Sequence, residues 1–223
     1  MASTKLKTPR PSRWERRPEA RPDELLDAAL EVFAARGYRA TRLDEVARAA
    51  GVTKGTIYHY FAGKEQLLLA AVRRRQQKKI AEIREALGDE SDPVSVRIAR
   101  LYHSVWERWT DPRARQVLRL MLSDVSIEAP EVFRTWMREG FVTNLRMLTS
   151  LIEQGKAQGD FRSDVDAEVA ARLLQSAMVF QMLLHFEWGM NELAPISNNR
   201  LVEQGLDVFM RGLRYEHHRD TES

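Results

Sequence analysis

The chain has 223 residues, 30% of them charged, a formal net charge of +3 and no cysteine. That length suffices for one large or two modest domains burying about 70% of the unfolded surface without staples, and the missing cysteine excludes disulfide frameworks, thiolate zinc sites and cysteine nucleophiles. No apolar run approaches the roughly 20 residues needed to span a bilayer, and residues 1–21 lack the apolar segment of a secretory signal, so a cytoplasmic location is expected.

Charge is unevenly placed along the chain. Residues 1–21 carry Lys5, Lys7, Arg10, Arg13, Arg16, Arg17 and Arg21 against Glu15 and Glu19, with Pro9, Pro11 and Pro18 interrupting any helix. This reads as a flexible basic arm, either lying along DNA phosphates or serving as a solubilising tail. Next, Leu26, Ala29, Leu30 and Phe33 give one apolar face of a first helix.

Two short helices follow in the stretch TRLDEVARAAGVTKGTIYHYFAGK, residues 41–64. Leu43, Val46, Ala47 and Ala50 recur at i, i+3, i+4 and i+7. Thr41 is expected to cap this helix in a capping box with Asp44, and Gly51 to end it in the left-handed conformation. Thr53 is expected to cap the next helix about three residues on, the spacing of a helix-turn-helix. With Ile57 and Phe61 facing inward, Gly55 and His59 point outward at 100° per residue, Thr56 and Tyr58 flank them, and Lys54 projects from the first turn. An exposed helical glycine costs roughly 0.5–1 kcal/mol relative to alanine, and close approach to DNA would supply its reason. The pair alone also fits an ordinary helical hairpin.

The string from Gly37 to Leu68 resembles the DNA-binding domain of the tetracycline-repressor-like (TetR) family of bacterial regulators, at Gly37, Thr41, Val46, Ala47, Ala50, Gly51, Val52, Thr53, Gly55, Thr56, Tyr58, Phe61, Lys64 and Leu67. The resemblance covers residues 22–70. It implies an all-α chain of about nine helices, with a three-helix DNA-binding head and a helical body that binds a ligand and dimerises. Within the DNA-facing set Thr53, Lys54, Gly55, Thr56, Tyr58 and His59, it places Lys54, Gly55 and Thr56 at bases or nearby phosphates. Thr41, Arg42, Tyr58, Tyr60 and Lys64 fall where the family clamps the backbone, Tyr60 standing where histidine is frequent, and His59 occupies a variable position. The implied domains are the arm at 1–21, the head at 22–70, the body at 71–215 and a polar tail at 216–223.

A long helix is predicted over 64–87. Its basic run from Arg73 to Lys79 is either a solvated face or partly within reach of phosphate. The sequence GDESDP at 88–93 marks a turn. Further helices are predicted at about 93–109, 112–126, 130–157, 166–189 and 197–214, and no segment has the alternation of a strand. Pro112 and Pro130 sit where prolines open helices. The helix at 166–189 is apolar on two faces: Val169, Leu173, Ala177, Phe180 and Leu184 on one, Leu174, Met178 and Met182 on the other. One face suits the chain's own core and the other a second subunit. The last helix adds Val202, Leu206, Phe209 and Leu213, so a four-helix homodimer interface is expected.

The body is also rich in large soft side chains. His103, Trp106, Trp109, Met121, Met137, Phe141, Met178, Met182 and His185 are candidates for lining a pocket; the same residues also suit plain core. The family's usual cavity supports the pocket reading. His103 and Glu107, one helical turn apart, lack a third metal ligand, and His217 and His218 lie in the polar tail. There is no G-x-S-x-G elbow, phosphate loop or G-x-G-x-x-G fingerprint. The expectation is therefore a non-enzymatic, cofactor-free homodimeric repressor, released from a palindromic operator by a largely apolar small molecule. The alternative is an activator or a partner-controlled regulator.

Overall fold

A computed structural model describes residues 22–214, which are α-helical without strands. The basic arm at 1–21 and the polar tail with His217 and His218 lie outside the described residues. The helices are α1 (Pro22–Arg36), α2 (Leu43–Ala49), α3 (Lys54–Tyr60), α4 (Lys64–Ala86), α5 (Val94–Thr110), α6 (Pro112–Leu120), α7 (Ser126–Glu128), α8 (Pro130–Met137), α9 (Thr143–Gln158), α10 (Ala167–Met182), α11 (Met190–Leu193) and α12 (Asn198–Leu213). Three π-turns, Met121–Val125, Arg138–Val142 and Leu183–Glu187, join α6 to α7, join α8 to α9 and extend α10. Counted as continuous rods, the described residues form ten helices. The single turn α11 is the one beyond the nine expected.

α1 begins with proline and two acids in its first turn, both favourable at a helix N-terminus. It buries Leu25, Ala29, Leu30 and Phe33 against α2 and α4. Gly37, at φ +83°, ends it and donates its N–H to the Phe33 carbonyl at 2.8 Å. The cap of α2 differs from the sequence expectation. Thr41 lies one residue too early, is buried, and donates its hydroxyl to the Gly37 carbonyl at 2.7 Å. Arg42 occupies the N-cap position, and its N–H is accepted by the Glu45 carboxylate at 3.2 Å, not by Asp44. Thr53 caps α3 as expected, accepting from the Thr56 N–H at 3.1 Å.

The core of the head does not stop with α4. Val117, Leu120, Met121, Val125, Ala129 and Val132 of the body pack into the same buried cluster as Phe33, Val46, Ile57 and Leu68. The head thus rests on the α6–α8 platform as well as on α4. A second cluster, formed by the distal end of α4 with α5, α9, α10 and α12, is the core of the body.

The segment Ala167–Glu187, at mean hydropathy 1.3 over its apolar window, is long and apolar enough by length and composition to cross a membrane. This corrects the expectation that no such run exists. Its two faces account for the apolarity: Leu174, Met178 and Met182 are buried in the body, whereas Val169, Leu173 and Phe180 are exposed. Asp166 caps this helix, accepting from the N–H groups of Glu168 and Val169 at 3.0 Å. The preceding turn is tied to the end of α12 by the Arg162 N–H, which donates to the Leu213 carbonyl at 2.9 Å.

Candidate DNA-binding face and effector cavity

Ile57, fully buried, fixes the orientation of α3. Lys54, Gly55, Tyr58, His59 and Tyr60 are exposed on the opposite surface and Thr56 is half-buried at its edge. A Cβ on Gly55 would meet nothing nearer than the Thr53 hydroxyl, at 3.6 Å. The glycine is therefore not required by packing within the chain, and it leaves the centre of the face low. The Thr53 and Thr56 hydroxyls share a hydrogen bond of 2.9 Å. His59 and Tyr60 meet edge to face. Arg42, at the N-cap of α2, is exposed and lies 3.9 Å from the Asp44 carboxylate.

Lys54 is held by Asp44 of α2 at 2.7 Å. Its hydrogen bond to that carboxylate raises the Lys54 ammonium above its ordinary pKa and holds Asp44 below the usual carboxylate range. The ammonium is thus charged and placed at the N-terminal turn of α3, where a phosphate can exchange for Asp44.

Two predicted backbone clamps point elsewhere. The Thr41 hydroxyl is committed to the Gly37 carbonyl, so it is not free for phosphate. The Lys64 ammonium turns inward. It donates to the Tyr38 carbonyl at 2.8 Å, lies 3.3 and 3.4 Å from the Arg39 and Thr41 carbonyls, and sits 4.4 Å from the Tyr38 ring centre. Lys64 therefore pins the α1–α2 loop onto α4. What the start of α4 leaves toward solvent is backbone: Gly63 stands at its N-cap without a side-chain cap, so first-turn N–H groups and the positive dipole end remain available to an anion.

The basic run on α4 is a solvated face only at Arg73, Gln77 and Lys78, and most of its charges are tied up within the chain. Arg73 pairs with Glu139, Arg74 with Asp23 and Asp27, and Lys78 with Asp27. Gln76 is buried, and Arg75 and Lys79 face the interior of the body. These are ties between α4, α1 and the body.

That interior holds a cavity of about 180 Å³, walled by α4, α5, α6, the three π-turns, α8, α9 and α10. Each π-turn contributes to it: Leu122 from the first, Gly140 and Phe141 from the second, Leu183 from the third. A π-turn inserts a residue and re-aims the side chains after it, which is why such turns gather at functional sites. An adjoining, more polar cleft of about 460 Å³ shares Gln76, Lys79, Trp109, Leu118 and Trp136 with the cavity.

Of the predicted pocket residues, Trp109, Met137, Phe141, Met178 and Met182 line the cavity. Four do not. His103 is exposed, because it lies two positions from both Leu101 and Val105, the inward face of α5. Trp106 is core, stacked at a tilt on His185 and Phe186. Met121 is fully buried in the head-side cluster. His185 lies in the third π-turn, which brings Leu183 to the cavity and leaves the imidazole against Trp106, where burial lowers its pKa. No group of three metal-ligating side chains occurs among the described residues.

Sequence reasoning missed the polar lining: Gln76, Lys79, Asn144 and Gln175. Gln76 Nε2 donates to the Trp136 carbonyl at 3.4 Å and Gln175 Nε2 to the Phe141 carbonyl at 3.0 Å. Two buried amides, one on α4 and one on α10, thus hold the backbone just before the second π-turn and within it. Gly140 makes room for this contact, since a Cβ there would displace the Gln76 amide.

A third surface is the outer face of α10. Leu173 is 64% exposed and Phe180 52%. A shallow groove beside them, between the start of α10 and the end of α12, is lined by Val169, Leu173, Val208 and Phe209.

Comparison with known proteins matches residues 25–71 to "Bacterial regulatory proteins, tetR family" and residues 91–193 to "Tetracyclin repressor-like, C-terminal domain". The HTH-type transcriptional repressor KstR2 of Rhodococcus jostii is 28% identical over 217 residues, 94% of this chain and 99% of that one. The HTH-type transcriptional activator FasR of Mycolicibacterium smegmatis is 40% identical over 74 residues, 33% of this chain and 34% of that one. The regulator FadR of Bacillus subtilis, solved in complex with stearoyl-CoA, has the same fold, with a TM-score of 0.67 at 22% identity over 86% of this chain and 98% of that one.

Proposed function

Because this chain belongs to the tetracycline-repressor-like family of bacterial regulators, we propose that it acts in the cytoplasm as a homodimeric repressor that leaves a near-palindromic operator when a small molecule occupies its body. The observation that carries this reading is the course of α4. Its first turn follows the DNA-facing helix after a three-residue link, and three to four turns later Gln76 and Lys79 line the cavity. From Lys64 to Lys79 a helix spans about 22 Å, so a tilt of roughly 5° displaces the head by about 2 Å.

In the dimer, the outer apolar face of α10, with Val208 of α12 beside it, meets its symmetry copy as an isologous interface requires; Val202, Leu206 and Leu213 of α12, expected at the interface, are buried in the chain's own core instead. The two α3 helices then enter successive major grooves about 34–36 Å apart. Lys54, Gly55, Thr56 and His59 approach base edges; Arg42, Tyr58, Tyr60 and the amides opening α4 hold phosphates. An effector that binds better to a head spacing unfit for the operator shifts the population toward it. No enzymatic role is assigned to the body.

Selection from random DNA by the full chain tests this. The expected product is one enriched inverted repeat, with preference altered by substitutions at Lys54 or Thr56. Salt-labile binding without sequence enrichment overturns the reading. The similarity to FasR makes activation the second reading, distinguished by whether the promoter next to the selected site rises or falls on deletion of the protein.

A further inference from the structure

Lys79 stands where the apolar cavity meets the polar cleft, and it lines both. Among the described residues, neither it nor Arg75 has a carboxylate within ion-pair distance, unlike Arg73, Arg74, Lys78 and Arg108, the last paired with Glu82. The acids of the cleft are otherwise placed. Glu82 is taken by Arg108, Asp111 caps α6 by accepting from the Arg113 N–H, and Glu107 is exposed. An ammonium half-buried at the mouth of an apolar cavity, with no carboxylate partner, is costly to keep and brings no structural return.

We propose that the effector is an amphipathic anion, its apolar chain between Trp109, Trp136, Met178 and Met182 and its carboxylate or phosphate on Lys79 with Arg75 beside it. This rests on the reading that the body binds an effector, and it names that effector's chemistry. Lys79 is half-buried and lines both cavities. Burial first, then the neighbouring Arg108 and Arg75, depress its pKa to about 8. The groups facing it are Arg75, Lys78 and Glu82 from its own helix, Glu107 and Arg108 from α5, and Asp111 ahead of α6, while the α8–α10 side brings the neutral Trp136, Asn144 and Gln175. An arriving anion raises that pKa, so binding takes up protons near pH 8 and weakens as pH rises beyond it. A cationic ligand meets the opposite field.

The test uses the full-length dimer with octanoate, octanoyl-CoA, octanol and octylamine, which share one tail. A medium chain suits a cavity smaller than the roughly 300–1,000 Å³ of drug-sized sites. At neutral pH at least one of the two anions should raise the melting temperature and release the selected operator at about tenfold lower concentration than the alcohol or amine. Lys79→Met should melt higher than the parent without ligand, confirming that it folds, and should lose the anion's advantage; Arg75→Gln should reduce it. Response to octanoate assigns a carboxylate, and response to the thioester alone assigns phosphates. Equal or better response to alcohol or amine, inertness of both anions, or an undiminished anion response in Lys79→Met overturns the proposal. Operator release by any neutral or cationic compound in a broader screen keeps the effector reading while removing the anion; release by none removes both.

Discussion

Lys64→Ala separates a phosphate clamp from a structural pin. The ammonium makes one short hydrogen bond to the Tyr38 carbonyl, two longer contacts and a cation–π contact with the Tyr38 ring. A hydrogen bond involving a charged group is worth about 1.5–3 kcal/mol and an exposed cation–π contact about 0.5–1. Water can reach part of this site once the side chain is gone, so the loss should be about 1–3 kcal/mol. For a chain of this length each kcal/mol moves the melting temperature about 2–4 °C, giving a fall of roughly 2–12 °C. The assay pairs thermal unfolding with the salt dependence of operator affinity. A lysine that neutralises a phosphate contributes about 0.9 to the slope of log K against log salt for each subunit. Here the slope should stay unchanged while the melting temperature falls. A reduced slope with unaltered melting would refute the inward orientation of Lys64.

Other substitutions probe the remaining joints. Gly37→Ala forces a Cβ into the left-handed region and onto the Asp124 carboxylate, so it should destabilise the head by about 1–3 kcal/mol, read from chemical denaturation. Leu173→Glu with Phe180→Glu should convert a dimer to a soluble monomer in sedimentation experiments; an unaltered mass would place the interface elsewhere. Burial raises the Asp27 pKa, but hydrogen bonds from Arg74 and Lys78 outweigh it and hold the carboxyl below its ordinary value. Its folded pKa is lower than its unfolded one, so its stabilisation is complete above about pH 4 and is lost as pH falls through the folded value. Asp27→Asn should therefore lower the melting temperature at neutral pH, with the difference shrinking in acid.

The helices and their inward faces were legible because apolar spacing records them directly, as at Ala29, Leu30 and Phe33 in α1 or Leu174, Met178 and Met182 in α10, although the first buried leucine of α1 is Leu25 and not the expected Leu26, which is only partly buried. The double stripe on α10 was legible for the same reason, but its hydropathy also satisfies a membrane-span test, because a helix with two apolar partners has the same composition as one in lipid. Side-chain commitments were not legible. Thr41 and Lys64 occupy family positions for DNA contact, yet each finds a backbone carbonyl nearer at hand. The cap of α2 moved from Asp44 to Glu45 because the helix starts one residue later than the hydroxyl suggests. Asn144 and Gln175 stand singly in α9 and α10, and the rest of the polar lining was hidden in a run of seven basic and amide residues. Its one available signal was spacing: Gln76 and Lys79 lie one turn apart on the side of α4 that continues Val72. The π-turns left no periodicity to read, and they decide which of the soft side chains meet the cavity.

The central claim is that two heads, set apart by the body, read two half-sites on one face of DNA. The direct measurement is the affinity of the full-length dimer for its selected inverted repeat and for the same repeat with about five base pairs, half a helical turn, inserted at the centre. The account predicts that the insertion reduces affinity to the level of unrelated DNA, because the second α3 then faces the wrong side of the duplex. Equal affinity for both sites would contradict it.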